Sequence, residues 1–167
     1  MYLLILVTAG GVREFRFDRL FRIIDELCGE GILRGEEIIA QRGYSTYQPK
    51  NYKTFDFIEA DEFKRLVSGA AFIISHAGTG TVVPAVKAGK KIILFPRLKE
   101  YHEHLDNHQL EICSLFLKKR YALVARNKRE LTDCISKIGS FTPEAFVSDN
   151  SRIVRLIMSC IEENREV

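Results

Sequence analysis

No apolar run in this chain approaches the ~20 residues that a membrane-spanning helix needs. The stretch Met1 to Val7 is apolar but short, has no basic start, and runs straight into a folded pattern. It is therefore not a signal peptide, and the expected location is the cytoplasm. Tryptophan is absent, and cysteine is scarce: Cys28, Cys113, Cys134 and Cys160 never form a CxxC pair. All four fall within helical apolar patterns and read as core thiols rather than disulfides or metal ligands. Charge of one sign is lacking too. A net charge of +3 is too small to argue for nucleic acid. Proline is rare, and no repeat, linker or low-complexity tract interrupts the 167 residues. Several motifs are missing as well. There is no G-x-x-x-x-G-K-[ST], which excludes a P-loop, and no G-x-S-x-G, so Ser75 beside His76 is not a hydrolase nucleophile. Gly78-Thr79-Gly80 carries only two glycines of a dinucleotide fingerprint and stands after the fourth strand rather than the first.

What remains is an ordinary soluble composition, 46% hydrophobic and 28% charged, in a chain long enough for one domain with a sizeable core. Tyr2 to Thr8 reads as a central parallel strand. Phe17, Leu20, Phe21, Ile24 and Leu27 repeat at helical spacing. Arg13, Arg16, Arg19 and Arg22 recur every three residues, the last three on the other face, which predicts a solvated face; the sharper alternative is a contact with anionic lipid or an acidic partner. Glu36 to Gln41 and Lys53 to Glu59 are strand candidates, with an aperiodic loop, Gly43 to Asn51, between them. Asp61 is placed as the N-cap of a helix to Ser68.

The organising unit is Ile73 to Glu111. A buried strand (Ala70 to Ile74) leads into the turn Ser75-His76-Ala77-Gly78-Thr79-Gly80. A short helix with Val82, Val83 and Val86 follows, closed by Gly89, then a second buried strand, Ile92 to Phe95. A polar loop leads to a helix from near Asp106, whose core face is expected at Leu110, Cys113 and Leu117. Tyr121 to Ala125 is a last strand. Asn127 with Glu130 opens a helix through Ile138, Gly139 stops it, and Ser140 to Ser148 is a loop. Asn150 to Asn164 predicts a final helix with an apolar arc wider than one buried face needs. The element order implies a doubly wound, largely parallel α/β sheet. Its ligand crevice is expected at the carboxyl ends of the strands, where Ser75 to Thr81 and Arg97 to Gln109 fall. His102, His104 and His108, with Glu103 and Asp106, line that crevice or, alternatively, hold a divalent metal as in a metal-dependent hydrolase. Any of the three histidines can act as a general base near neutral pH.

At Ser75-His76-Ala77-Gly78-Thr79-Gly80 and Asp106-Asn107-His108-Gln109-Leu110-Glu111 the chain resembles the donor-binding half of GT-B glycosyltransferases split over two polypeptides. This is the glycosyltransferase family 28 C-terminal domain. It includes the subunit that adds the second GlcNAc to dolichol pyrophosphate and the PssE-type exopolysaccharide (capsule) glycosyltransferases. The Pro-Arg-x-Lys…Glu-His…His-Gln pattern of the latter is met by Pro96, Arg97, Lys99, Glu103, His104, His108 and Gln109. The resemblance covers nearly the whole chain, as a single domain over 1–167. It implies a Rossmann-like three-layer domain, half of a GT-B fold, carrying an inverting, metal-independent transferase that uses a UDP-sugar donor and no cofactor. Glu103 and His104 would face the donor sugar as the catalytic pair. Gly10, His76, Gly78, Thr79, Gly80, Thr81, Arg97, Asn107, His108 and Gln109 would bind substrate. Glu103 and His104 sit in a loop with no apolar pattern, so folding is not expected to depend on them. A membrane-anchored, PssD-like subunit would supply the acceptor domain, hold the protein peripherally at the inner membrane face, and present a polyprenyl-pyrophosphate-linked sugar. Residues 150–164 would be the contact with that partner. Two places depart: the family's usual Gly-Thr turn is Gly10-Gly11 here, and its ribose-binding glutamate is replaced by Pro84, which admits a non-catalytic, scaffolding subunit as an alternative. The transferred sugar would be galactose, glucuronic acid or GlcNAc.

Overall fold

The structure is a computed structural model that describes residues 3–11 and 13–147. The helix expected over 150–164, with its proposed partner contact, and Cys160 lie outside the described residues. Six strands form one sheet: β1 (Ile5–Thr8), β2 (Ile38–Gln41), β3 (Lys53–Phe55), β4 (Phe72–Ser75), β5 (Ile92–Leu94) and β6 (Leu123–Val124). Their order is β3-β2-β1-β4-β5-β6 and every pairing is parallel. The helices are α1 (Asp18–Gly29), α2 (Ala60–Gly69), α3 (Thr79–Lys87), α4 (His108–Lys118) and α5 (Lys128–Ile138).

The continuous apolar strands have a simple cause: both faces of the sheet are covered. On β1, Ile5 and Val7 join the core beneath α1 and α5, while Leu6 joins the core beneath α3 and α4. Ile74 and Ile93 repeat the first choice, and Ile73, Ile92 and Leu94 the second. Side-chain alternation with period two turns one buried run into two cores, and the result is the expected three-layer Rossmann-like domain. The five residues of the expected apolar stripe on α1, Phe17 to Leu27, are all fully buried. α5 is capped as expected: the Asn127 side chain accepts from the Glu130 amide at 2.9 Å, and Glu130 Oε2 accepts from the Arg126 amide at 2.8 Å. Cys113 and Cys134 are buried in the cores and Cys28 is half-buried. Burial pushes the Cys28 thiol up to about 11, so it is an inert core thiol at neutral pH.

Several expectations need correction. α2 starts two residues earlier than placed: its N-cap is Glu59, and Asp61 lies within the first turn. On α4 the core face is Gln109, Ile112, Cys113 and Phe116, whereas Leu117 is 51% exposed and Leu110 half-buried. Pro84 is the sixth residue of α3, so the Gly80 carbonyl has no amide four residues on. The arginine stripe is not uniformly solvated. Arg19 folds inward, its guanidinium 4.6 Å from the Phe95 ring centroid and 4.7 Å from that of Tyr101. The aperiodic segment 43–51 is also firmly held. Asp18 accepts from the Thr46 and Tyr47 amides, and buried Asp25 accepts from Tyr47 Oη and the Lys50 and Asn51 amides. Burial alone would raise the Asp25 carboxyl, but those donors hold it below the usual carboxylate range.

Candidate functional site

The chain winds outward from β1 to β2 and β3, then crosses back to β4. The crevice of a doubly wound sheet opens at such a reversal, outside the carboxyl ends of the strands. Here that place lies between the loop after Thr8 and the loop after Ser75, two residues paired in register.

His76 fills the gap between these loops. Its ring is packed so closely that a Cβ on Gly10 would lie 2.5 Å from His76 Cε1, and a Cβ on Gly78 would lie 2.0 Å from Nε2. Gly10 is further committed by a φ of 71°, a left-handed conformation that glycine adopts without penalty. His76 is 7% exposed, and its Nδ1 has no hydrogen-bond partner. Burial, with the Arg97 charge adding to it, depresses its pKa to about 3. The ring is neutral at physiological pH and retains an unused nitrogen at the switch point.

Gly78 is the N-cap of α3, and no side chain caps this helix. The Gly78 carbonyl accepts from the Thr81 and Val82 amides at 3.2 and 3.1 Å, while the amides of Thr79 and Gly80 have no intrahelical acceptor. A Cβ built on exposed Gly80 meets nothing within 4 Å. The start of α3 is thus an open backbone surface of the kind that receives anions. At the opposite flank, Phe57 is 48% exposed, approaches Gly11 at 3.3 Å to a built Cβ, and meets Tyr44 edge-on at 5.1 Å between ring centroids. The sequence reading missed this aromatic pair. Its signal was an aromatic residue just after β3 at the same end of the sheet.

Three of the expected site residues do structural work. Arg97 is 2% exposed; its Nη2 donates to the Ala9 carbonyl at 2.7 Å and its Nη1 to the Phe15 carbonyl at 3.0 Å. It brackets the β1–α1 loop instead of lining an open surface, and burial lowers its pKa to about 10, so it stays charged. Gln109 Oε1 accepts from the Arg97 amide at 2.9 Å and the Ala77 amide at 3.2 Å, tying the ends of β4 and β5 together. Glu103 is 4% exposed. Its two oxygens accept from Arg19 Nε and Nη2, both at 2.8 Å, and Oε2 also accepts from the Leu98 amide. The expectation that folding is indifferent to Glu103 is corrected on this point.

The remaining loop residues are more open. His104 stacks on Phe15 at 5.7 Å, and its Nδ1 lies 3.0 Å from Asp106 Oδ1. Nδ1 also accepts from the Asp106 amide at 3.3 Å, so Asp106 holds the ring in orientation through its backbone as well as its carboxylate. Asn107 is exposed and its Oδ1 accepts from the Lys99 amide; the His108 amide donates to Asp106 Oδ1. The three histidines of this loop do not converge. Among the described residues no group of three or more His, Cys, Asp or Glu side chains could hold a metal ion. A cavity of about 500 Å³ lies beside this loop, between the first turns of α1 and the segment 101–103.

Sheet order and crevice together define a Rossmann-like three-layer domain. Residues 5–150 match the glycosyltransferase family 28 C-terminal domain, and the chain belongs to that family. The UDP-N-acetylglucosamine transferase subunit ALG13 of Yarrowia lipolytica is 31% identical over 141 residues, covering 74% of this chain and 65% of that protein. The subunit of the same name from Debaryomyces hansenii is 27% identical over 104 residues, covering 60% and 49% respectively. The chain thus spans about half to two thirds of the length of these relatives. In fold it is similar to the NMR solution structure of ALG13, with a TM-score of 0.62 at 21% identity over 96% of this chain and 97% of that one. Among the described residues no helix is long and apolar enough to cross a membrane.

Proposed function

We propose that this protein is the donor-binding subunit of an inverting GT-B glycosyltransferase. It would move a sugar from a UDP-sugar to a polyprenyl-pyrophosphate-linked sugar in exopolysaccharide, capsule or other glycan biosynthesis. The observation that carries the reading is the switch point: neutral His76 with its unused Nδ1 stands between Gly10 and Gly78, beside the uncapped start of α3. The diphosphate lies against Gly78 to Thr81, where backbone amides and the helix dipole meet the charge that grows on the leaving UDP. The exposed Phe57 ring offers the base a flat surface for stacking. His104, aligned by Asp106, takes the proton of the acceptor hydroxyl. That oxygen attacks the anomeric carbon as the bond to the diphosphate breaks, and UDP leaves. Glu103, Arg97 and Gln109 keep the loop in place. The acceptor domain comes from a second, membrane-anchored subunit, because a GT-B cleft lies between two such domains. That subunit holds this one peripherally at the cytoplasmic membrane face.

Two observations support the donor class: the family assignment and the similarity to UDP-N-acetylglucosamine transferase subunits, which puts UDP-GlcNAc first on a panel with UDP-galactose and UDP-glucuronic acid. The experiment is thermal unfolding and calorimetry with UDP and that panel, since a ligand of the native state raises the melting temperature. Gly80→Val is expected to abolish the response without a packing clash, because its Cβ meets open space. No shift and no heat at millimolar ligand would overturn the donor site. Transfer is then assayed with and without the membrane-anchored partner; robust transfer by this chain alone would overturn the two-component reading. Pro84 at the expected ribose position favours one second reading, a scaffolding subunit, which predicts binding without turnover even in the complex.

A further inference from the structure

Tyr44 and Phe57 stand side by side beyond the carboxyl ends of β2 and β3, and the backbone accounts for it. The β2–β3 pairing runs on past the strands: the Arg42 amide donates to the Phe55 carbonyl at 2.9 Å and the Gly43 amide to that of Asp56 at 3.2 Å. The next residue on each side is an aromatic. Tyr44 is also held by its neighbours. A Cβ on Gly43 would lie 2.3 Å from the Gly10 carbonyl oxygen, and the Ser45 hydroxyl accepts from the Phe17 amide at 2.9 Å. On this anchored backbone the Tyr44 side chain is nevertheless 42% exposed, and Phe57 is 48% exposed. Large rings left open on a rigid scaffold mark contact surfaces. The two rings meet edge-on, with 5.1 Å between centroids and 62° between planes. Phe57 also abuts the backbone at Gly11 and Gly43, where built Cβ atoms would lie 3.3 and 3.8 Å from its Cε1. Edge contact with Tyr44 and backbone contact at the glycines together fix the tilt of a half-open ring.

We propose that Tyr44 is a positioning residue for nucleotide selectivity: it holds the Phe57 ring at the tilt in which that ring stacks on a nucleobase. The inference rests on the donor reading and adds to it the residue that separates a nucleotide from a bare diphosphate. Phe57 and His76 close on the same turn, Phe57 at Gly11 and His76 at Gly10. A nucleotide lying along that turn has its base at Phe57 and its diphosphate at Gly78 to Thr81. Tyr44 acts through Phe57, by its ring edge rather than its hydroxyl.

The test is calorimetry on the full chain with UDP and, separately, inorganic pyrophosphate, for the parent, Phe57→Ala, Tyr44→Ala and Tyr44→Phe. Phe57→Ala should weaken UDP by about tenfold. Tyr44→Ala should weaken it by about three- to tenfold, and Tyr44→Phe, which keeps the ring, should bind as the parent does. Pyrophosphate has no base and should bind all four proteins alike. Melting temperatures without ligand should stay near the parent value, because both rings lie at the surface. The uracil H5 and H6 resonances of bound UDP give a second readout: a stacked ring shifts them upfield in the parent and in Tyr44→Phe, and less in Tyr44→Ala. Unchanged UDP affinity in Tyr44→Ala would overturn the proposal. So would an equal loss of UDP and pyrophosphate, which would make Tyr44 a structural prop. Tyr44→Phe as weak as Tyr44→Ala would move the effect to the hydroxyl and overturn the ring-edge argument. A parent that binds neither ligand would sink the donor reading itself, whereas one that binds UDP no better than pyrophosphate would sink only the base site.

Discussion

His76 gives the sharpest quantitative test. In the folded protein its pKa lies at about 3 against a reference of 6.5, with burial the leading cause. At about 1.36 kcal/mol per unit, the gap corresponds to roughly 5 kcal/mol when fully expressed. The sign follows from proton counting. Between the two values the unfolded chain binds a proton that the folded chain does not, so stability is complete above the unfolded pKa and is lost as pH falls, levelling off near the folded one. Between pH 7 and pH 5 the loss from this one ring is about 2 kcal/mol. Other groups titrate over the same range, so the comparison is with His76→Gln, which carries no titrating group there. Urea unfolding of both proteins at pH 7, 6 and 5, extrapolated linearly, should give the parent a steeper loss by about 2 kcal/mol. Saturating UDP is expected to flatten the parent's slope, because a diphosphate beside the ring favours its protonated form. Equal pH dependence in parent and variant would refute a neutral, desolvated His76 and remove the argument for its unused nitrogen.

Two further outcomes concern the loop and the helix. Glu103→Ala leaves Arg19 without its carboxylate and is expected to cost about 3 kcal/mol, as for other buried pairs that lose one partner. That is a fall of about 6–12 °C in melting temperature by heat denaturation; a shift below about 2 °C would show that the clamp is slack. Pro84→Ala and Pro84→Glu both restore the amide missing opposite the Gly80 carbonyl, so both should stabilise α3. Only the glutamate is expected to tighten UDP, by about 1.5–3 kcal/mol, and equal affinities by calorimetry would show that the ribose is held without this position.

Much of the architecture was legible because hydrophobic pattern and turn chemistry are local. The apolar runs at Ile5, Phe72 and Ile92 had to be strands buried on both faces, and the Phe17 to Leu27 stripe had to be a helix. The Asn127–Glu130 cap was written in four residues. Element order then restricted the sheet to a parallel, doubly wound one, and the glycine turn pointed to the strand ends where the candidate site lies. What each polar residue does there could not be read the same way. Arg97, Glu103 and Gln109 stand in a polar loop and resemble ligand contacts in sequence. Their partners, Ala9, Arg19 and Ala77, lie 88, 84 and 32 positions away. Whether a polar side chain faces a ligand or braces a loop depends on which distant acceptors folding delivers, and on the cost of leaving a buried polar group unpaired. The Arg19 side chain reads as solvated surface in sequence for the same reason, since its periodicity is that of a surface stripe and only the fold brings it onto Glu103 and the Phe95 and Tyr101 rings. Composition and spacing thus determined the fold and the strand ends at which its crevice opens. Tertiary structure alone decided which charges there are braces and which, like Arg16 and Arg22, have no ion pair among the described residues.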